Sequence, residues 1–123
     1  MYFTYGNHWM LNVVAHREEV AAAALIRAAE PLEGLETFRQ RRPKAARDGD
    51  LLSGPGKLAA AFGLTGEHDG IDLWSGQALR LESGEATKHV VCGSRIGITA
   101  GKEHLWRFVD ADALRWVSRP LPK

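Results

Sequence analysis

Five aromatic or imidazole side chains crowd the first nine residues: Tyr2, Phe3, Tyr5, His8 and Trp9. Rings carried on a projecting strand pair stack on nucleobases or wedge between base pairs, because every base offers a flat π face. The same rings at alternate strand positions would equally well fill a core. A second concentration is cationic: Arg39, Arg41, Arg42, Lys44 and Arg47 fall within nine residues, with Gln40, Pro43 and two alanines among them. Such a patch neutralises phosphates, although a solvated helix end has the same composition. Further on, Ser53-Gly54-Pro55-Gly56 has the small residues that let a backbone approach a phosphate, a weak signal on its own.

Other chemistries are disfavoured. His16-Arg17-Glu18 matches the first half of a zinc-deaminase pattern, but the Pro-Cys-x-x-Cys half is missing. His8, His68, His89 and His104 have no ligand-like spacing, so no metal is expected, and no nucleotide-binding glycine loop points to a cofactor. Cys92 has no second cysteine to pair with; following Val90-Val91, it reads as a small buried apolar residue. A net charge of +1, 45% apolar and 25% charged residues describe an ordinary globular chain, one domain over 1–123 and expected to be monomeric. The apolar run Val20 to Ile26 is far shorter than the roughly 20 residues of a membrane helix. The first residues lack a leader's basic and apolar parts, so no membrane partner and a cytoplasmic location are expected.

These groups must be held by local structure. Tyr2 to Tyr5 are strand formers, Gly6-Asn7 signals a turn, and a second strand runs from Trp9 to Ala15, giving a hairpin. After a loop at His16 to Glu19, the apolar segment Val20 to Ala28 reads as a strand, though its alanines also permit a helix. Glu33 to Arg41 has helical spacing and stops at Pro43; Ala45 to Asp50 is a loop. A second helix follows, with Ser53 as its expected cap, an apolar side over Leu58 to Phe62 and Gly63 as its end. Leu79 to Leu81, Val90 to Ile98 and Trp106 to Val109 read as strands between Gly-rich turns. The sum is an α+β domain: a mainly antiparallel curved sheet, a projecting N-terminal β-hairpin and a few short helices.

Several segments, taken in order, resemble the alkyladenine (DNA-3-methyladenine) DNA glycosylases. They are Tyr2-Phe3-Thr4-Tyr5-Gly6 with Leu11-Asn12-Val13; Leu25-Ile26-Arg27-Ala28-Ala29-Glu30-Pro31-Leu32-Glu33-Gly34; Leu52-Ser53-Gly54-Pro55-Gly56-Lys57-Leu58; Arg95-Ile96-Gly97-Ile98; Trp106-Arg107-Phe108; and Trp116-Val117-Ser118. The resemblance implies a base-excision repair protein that flips alkylated or deaminated purines out of duplex DNA and hydrolyses the N-glycosidic bond without cofactor or metal. Its partner is then double-stranded DNA containing damaged purines.

By the same resemblance Tyr5 is the wedge entering the minor groove. Tyr2, Asn12, Leu25 and Arg27 line the base pocket, with Tyr2 stacking on the base and Asn12 testing the purine edge. Asn7, His8, Arg42 and Lys57 contact the DNA. In the family a Glu-x-Tyr segment and a histidine precede the hairpin, and the Glu activates the attacking water. Met1 falls inside the hairpin strand, so the catalytic residue is unassigned here. The expectation is a fragment of a glycosylase, then a damage-binding module, then a chain with a substitute acid/base.

Overall fold

Proline and glycine set the helix limits. In the computed structural model, which describes residues 2–3, 8–14, 22–74 and 78–117, helix α1 covers Leu35–Arg41 and helix α2 covers Pro55–Phe62. Helix α1 starts two residues later than Glu33 because Gly34 takes left-handed backbone, φ 80°, which no right-handed helix continues. Helix α2 opens on Pro55, where a missing N–H costs nothing. It closes on Gly63, at φ 68°, whose N–H reaches the carbonyls of Ala59 and Ala60. The cap position belongs to Gly54, with no side-chain cap bond; Ser53 does not serve as the cap.

The two helices enclose the core. Phe38, Leu51, Leu52 and Ala61 form its centre, and Leu58, Ala59 and Leu64 are buried beside them. The loop between the helices holds a 3₁₀ turn at Asp48–Asp50. It is pinned by arginines: Arg42 donates through Nη1 to the carbonyls of Asp50 and of Leu51, the latter at 3.0 Å. Arg41 donates to the Ala61 carbonyl at 3.0 Å. Arg39 grips the Asp48 carboxylate, 2.8 Å from Nη2 to Oδ1.

Strands occur as three antiparallel pairs among the described residues. β1 (Tyr2–Phe3) pairs with β2 (Trp9–Met10), β3 (Asn12–Val14) with β4 (Ala23–Leu25), and β5 (Val90–Gly93) with β6 (Arg107–Asp110). The domain is α+β with short antiparallel sheets, as expected. The strands themselves are shorter. Of Val20 to Ala28, the pairing covers Ala23–Leu25, opposite the three residues of β3; residues 15–21 lie outside the described residues, and with them the His16 to Glu19 loop. Leu79 to Leu81 forms no ladder; one bond from the Leu81 N–H to the Leu73 carbonyl, 2.7 Å, holds it. The run to Ile98 ends at Gly93, before the left-handed turns at Gly97 and Gly101.

Cys92 is exposed, not buried. It lies opposite Phe108, which is 66% exposed, on the outer face of a two-stranded ribbon. A strand alternates its side chains between faces, and a ribbon with one covered face leaves the other bare.

Candidate functional site

A cavity of about 890 Å³ opens between two walls. One is built from β3, β4 and residues 26–30, the other from β6, residues 95–98 and the stretch around Trp116. Antiparallel register sets Asn12 directly opposite Leu25. The ladder continues one step further through the Ile26 N–H to the Leu11 carbonyl, 3.0 Å, and the Ala29 N–H reaches the Leu52 carbonyl at 3.3 Å, fastening this wall to the core. Three of the four residues expected to line a base pocket, Asn12, Leu25 and Arg27, therefore share one cavity wall. The side chain of the fourth, Tyr2, lies outside the described residues, as do Tyr5 and Asn7.

The cavity is electropositive within. Burial lowers the pKa of Arg27, and the positive charge of Arg107 lowers it further; Arg107, 6% exposed, is lowered by burial as well. Both remain cations at neutral pH, because a guanidinium titrates so far above it. Two guanidiniums supply forks of N–H donors and no acceptor, suited to oxygen atoms of a polar ligand. Next to Arg107 in the chain, the Trp106 ring is flanked by Arg95, 5.1 Å from its centroid, and by His104, stacked at 4.2 Å and 14°. Two carboxylates lie on the wall among the described residues, Glu30 and Asp110. Asp110 Oδ1 accepts the Asp112 N–H at 2.9 Å, the cap of a 3₁₀ turn over Ala111–Trp116.

Trp9 in β2 and His8 just before it each approach a glycine closely. A Cβ on Gly66 would sit 2.7 Å from the Trp9 ring, and one on Gly56 would sit 3.0 Å from the His8 side chain. His8 therefore lies on the first turn of α2 next to Lys57, bringing together two residues expected to touch DNA. Lys57 is exposed and lines a second, smaller cavity of about 310 Å³ with Arg27, Arg47 and Arg115. Arg42 lines neither cavity; its Nη1 faces the backbone carbonyls of the interhelical loop.

Sequence reasoning did not single out Arg95, Arg107, Phe108 or Asp110 as cavity residues, although Arg95 and Trp106-Arg107-Phe108 stood in the segments that carried the resemblance. Arg115 had no motif to mark it. Among the described residues no group of three or more His, Cys, Asp or Glu gathers to hold a metal, and no helix is long and apolar enough to cross a membrane.

Comparison with known proteins adds a common theme. The profile of a family described as methylpurine-DNA glycosylase matches residues 1–114. A DNA-3-methyladenine glycosylase of Arabidopsis thaliana is 44% identical over 98% of this chain and 49% of its own length. Relatives named provisionally as 3-methyladenine DNA glycosylases include one of Burkholderia lata, 40% identical over 100% of this chain and 60% of its own length. Another, of Rhodopseudomonas palustris, is 42% identical over 100% of this chain and 58% of its own length. The chain thus spans about half to three-fifths of the length of these relatives.

Proposed function

Because the chain belongs to the methylpurine-DNA glycosylase family, we propose that it recognises alkylated or deaminated purines in duplex DNA and serves their excision by a monofunctional glycosylase reaction. The observation that carries this reading is the cavity on whose wall Asn12, Leu25 and Arg27 meet. Its volume falls within the roughly 300–1,000 Å³ of ordinary ligand pockets. An extruded purine stacks against aromatic walls, Tyr2 among them, while the Asn12 amide tests its polar edge. Tyr5 fills the gap left in the duplex, a substitution that is least costly where the damaged base is already weakly paired. Asn7 and His8 follow the wedge along the groove; Lys57 and Arg42 contact phosphates. The substrate locates the protein with the chromosome, in the nucleoid if the cell is bacterial, and one protein copy suffices.

In the reaction, water adds at C1′ of the deoxyribose as the C1′–N bond breaks; the purine leaves with the bonding electron pair and a carboxylate receives the water's proton. A methylated, cationic purine leaves readily, so binding and extrusion carry much of the selectivity. A damage-binding module without hydrolysis is the second reading. It is favoured by the state of the cavity carboxylates: Glu30 is exposed and Asp110 Oδ1 is engaged by a backbone amide.

Single-turnover assays on duplexes carrying hypoxanthine or 3-methyladenine separate the two. Release of the base establishes the glycosylase reading; lesion-selective binding without release establishes the module. Absence of salt-dependent DNA binding would sink both.

A further inference from the structure

Phe108 leaves 66% of its surface in water, although it sits within a paired strand and lines the larger cavity. Its neighbours along β6 turn the other way. Arg107 and Val109 are buried, as the alternation of side chains along a strand requires. An apolar ring kept in water is unfavourable until something flat covers it. Elsewhere in the molecule Phe38 and Phe62 cover one another, with ring centroids 5.0 Å apart; among the described residues no ring packs against Phe108.

Trp106, two residues earlier and on the same lining, is already engaged. His104 stacks on its ring and Arg95 lies over it. The guanidinium is steadied from behind: its Nη2 reaches the Gly101 carbonyl at 3.5 Å, and a Cβ on Gly101 would stand 2.6 Å from that atom. A glycine at this left-handed turn, φ 76°, leaves the space in which Arg95 covers the indole. Phe108 is thus the aromatic side chain on this wall whose ring is not engaged by another ring or a cation among the described residues.

We infer that Phe108 is the platform on which the extruded purine stacks, with Trp106, clamped between its neighbours, as a fixed flank. The inference rests on the functional reading above and deepens it by naming a residue that reads the face of the purine while Asn12 tests its edge. Every base has a π face, so a stacking platform adds affinity for any purine that enters and leaves the choice among lesions to polar groups. Position argues for a ligand in the cavity over a partner laid across the ribbon. Val90 and Cys92 are exposed like Phe108, yet neither borders the cavity; Phe108 does.

The test is binding of the whole chain to three fluorescent duplexes, one carrying hypoxanthine, one 7-methylguanine and one undamaged. Phe108→Ala is expected to weaken both lesion complexes about tenfold, at least as much for the cationic 7-methylguanine as for neutral hypoxanthine. The undamaged duplex, with no extruded base, responds less. Phe108→Tyr restores the affinity, whereas Phe108→Leu, apolar but without a π face, recovers little of it. A second readout needs no variant: in NMR spectra of the parent chain the ring protons of Phe108 shift upfield with the hypoxanthine duplex and stay in place with its undamaged twin. A lesion preference with no such shift, or lesion affinities unchanged in Phe108→Ala, would overturn the platform and leave the functional reading standing. Full recovery in Phe108→Leu would overturn stacking in favour of plain apolar contact. Self-association of the parent chain that Phe108→Ala abolishes, seen by sedimentation, would give the ring to a second copy and overturn the purine assignment. A parent chain that does not distinguish damaged from undamaged duplexes would overturn the functional reading beneath it.

Discussion

Around α1 and α2 the arginines face protein. Arg41 and Arg42 donate to backbone carbonyls and Arg39 to Asp48, while Leu51, Leu52 and Leu58 are 1–2% exposed. The larger cavity differs in what it shows to solvent. Arg27 and Arg107 stand on its lining, Arg107 only 6% exposed, while the neighbouring Trp106 and Phe108 are 57% and 66% exposed. The same residue types thus close the loop between two helices in one region and furnish a ligand-accessible wall in the other. What separates them is the supply of acceptors: the interhelical loop turns its carbonyls toward α1, whereas the β5–β6 ribbon satisfies its own backbone through the ladder and alternates its side chains, Arg107 and Val109 buried and Phe108 exposed. Stability should reside in the first region and recognition in the second.

Substitutions that strike one region and spare the other test that division. Leu52→Ala removes a fully buried side chain and is expected to lower unfolding free energy by about 2–5 kcal/mol in a urea titration; Phe108→Ser should stay within about 0.5 kcal/mol. Equal losses would erase the contrast. Next come the arginines. Arg42→Ala leaves two loop carbonyls without their donor and should cost about 1–3 kcal/mol of stability, with DNA affinity falling as well on the function proposed. Arg27→Ala should weaken lesion-duplex binding by about ten- to a hundredfold, the worth of a charge-assisted contact, with its melting temperature measured alongside.

Gly63→Ala is a smaller probe of the helical region. Its left-handed backbone, φ 68°, disfavours a side chain by about 1–2 kcal/mol, and the new Cβ would lie 3.2 Å from the Arg41 guanidinium; thermal melts read the difference. The smallest effect is expected at Asp50. Its carboxyl titrates below the ordinary range because of the Arg47 hydrogen bond, so its contribution is fully present above the unfolded pKa of about 3.9 and disappears as pH falls through the lower folded value. Asp50→Asn should therefore be slightly less stable than the parent near neutral pH and equal to it in acid.

The helical region was legible in the sequence because its signals are local. Pro43, Pro55 and Gly63 mark chain stops by backbone sterics alone; Gly34 was read through, and the structure moved that limit by two residues. The cap was misread at Ser53 because a serine shortly ahead of an apolar run looks the same whether or not its hydroxyl turns inward. Strands were harder: Leu79 to Leu81 alternates like a strand, yet pairing needs a partner that the local pattern does not name. Cys92 was misjudged for a related reason, since an apolar neighbourhood in sequence says nothing about whether a ribbon has a second layer over it.

The site divides the same way. Asn12, Leu25 and Arg27 were reached through sequence segments specific enough to name. Arg107 and Asp110 become visible when β6 is brought to the same cavity as β4, and Arg115 when the following 3₁₀ turn reaches the second cavity, placements far apart in the chain that no local spacing encodes. The cationic cluster at residues 39–47 illustrates the converse. Its composition suggested one phosphate-binding patch, and folding distributes it: Arg39, Arg41 and Arg42 to structural partners, Arg47 to the rim of a cavity whose other cations come from elsewhere.

The most direct test of the central claim, that the larger cavity reads a damaged purine, is a comparison of equilibrium affinities. Fluorescence anisotropy on a hypoxanthine-containing duplex and its undamaged twin should show the parent chain preferring the lesion, with Asn12→Ala and Arg27→Ala drawing the two affinities together. A preference that survives both substitutions, or its absence in the parent chain, would contradict the account.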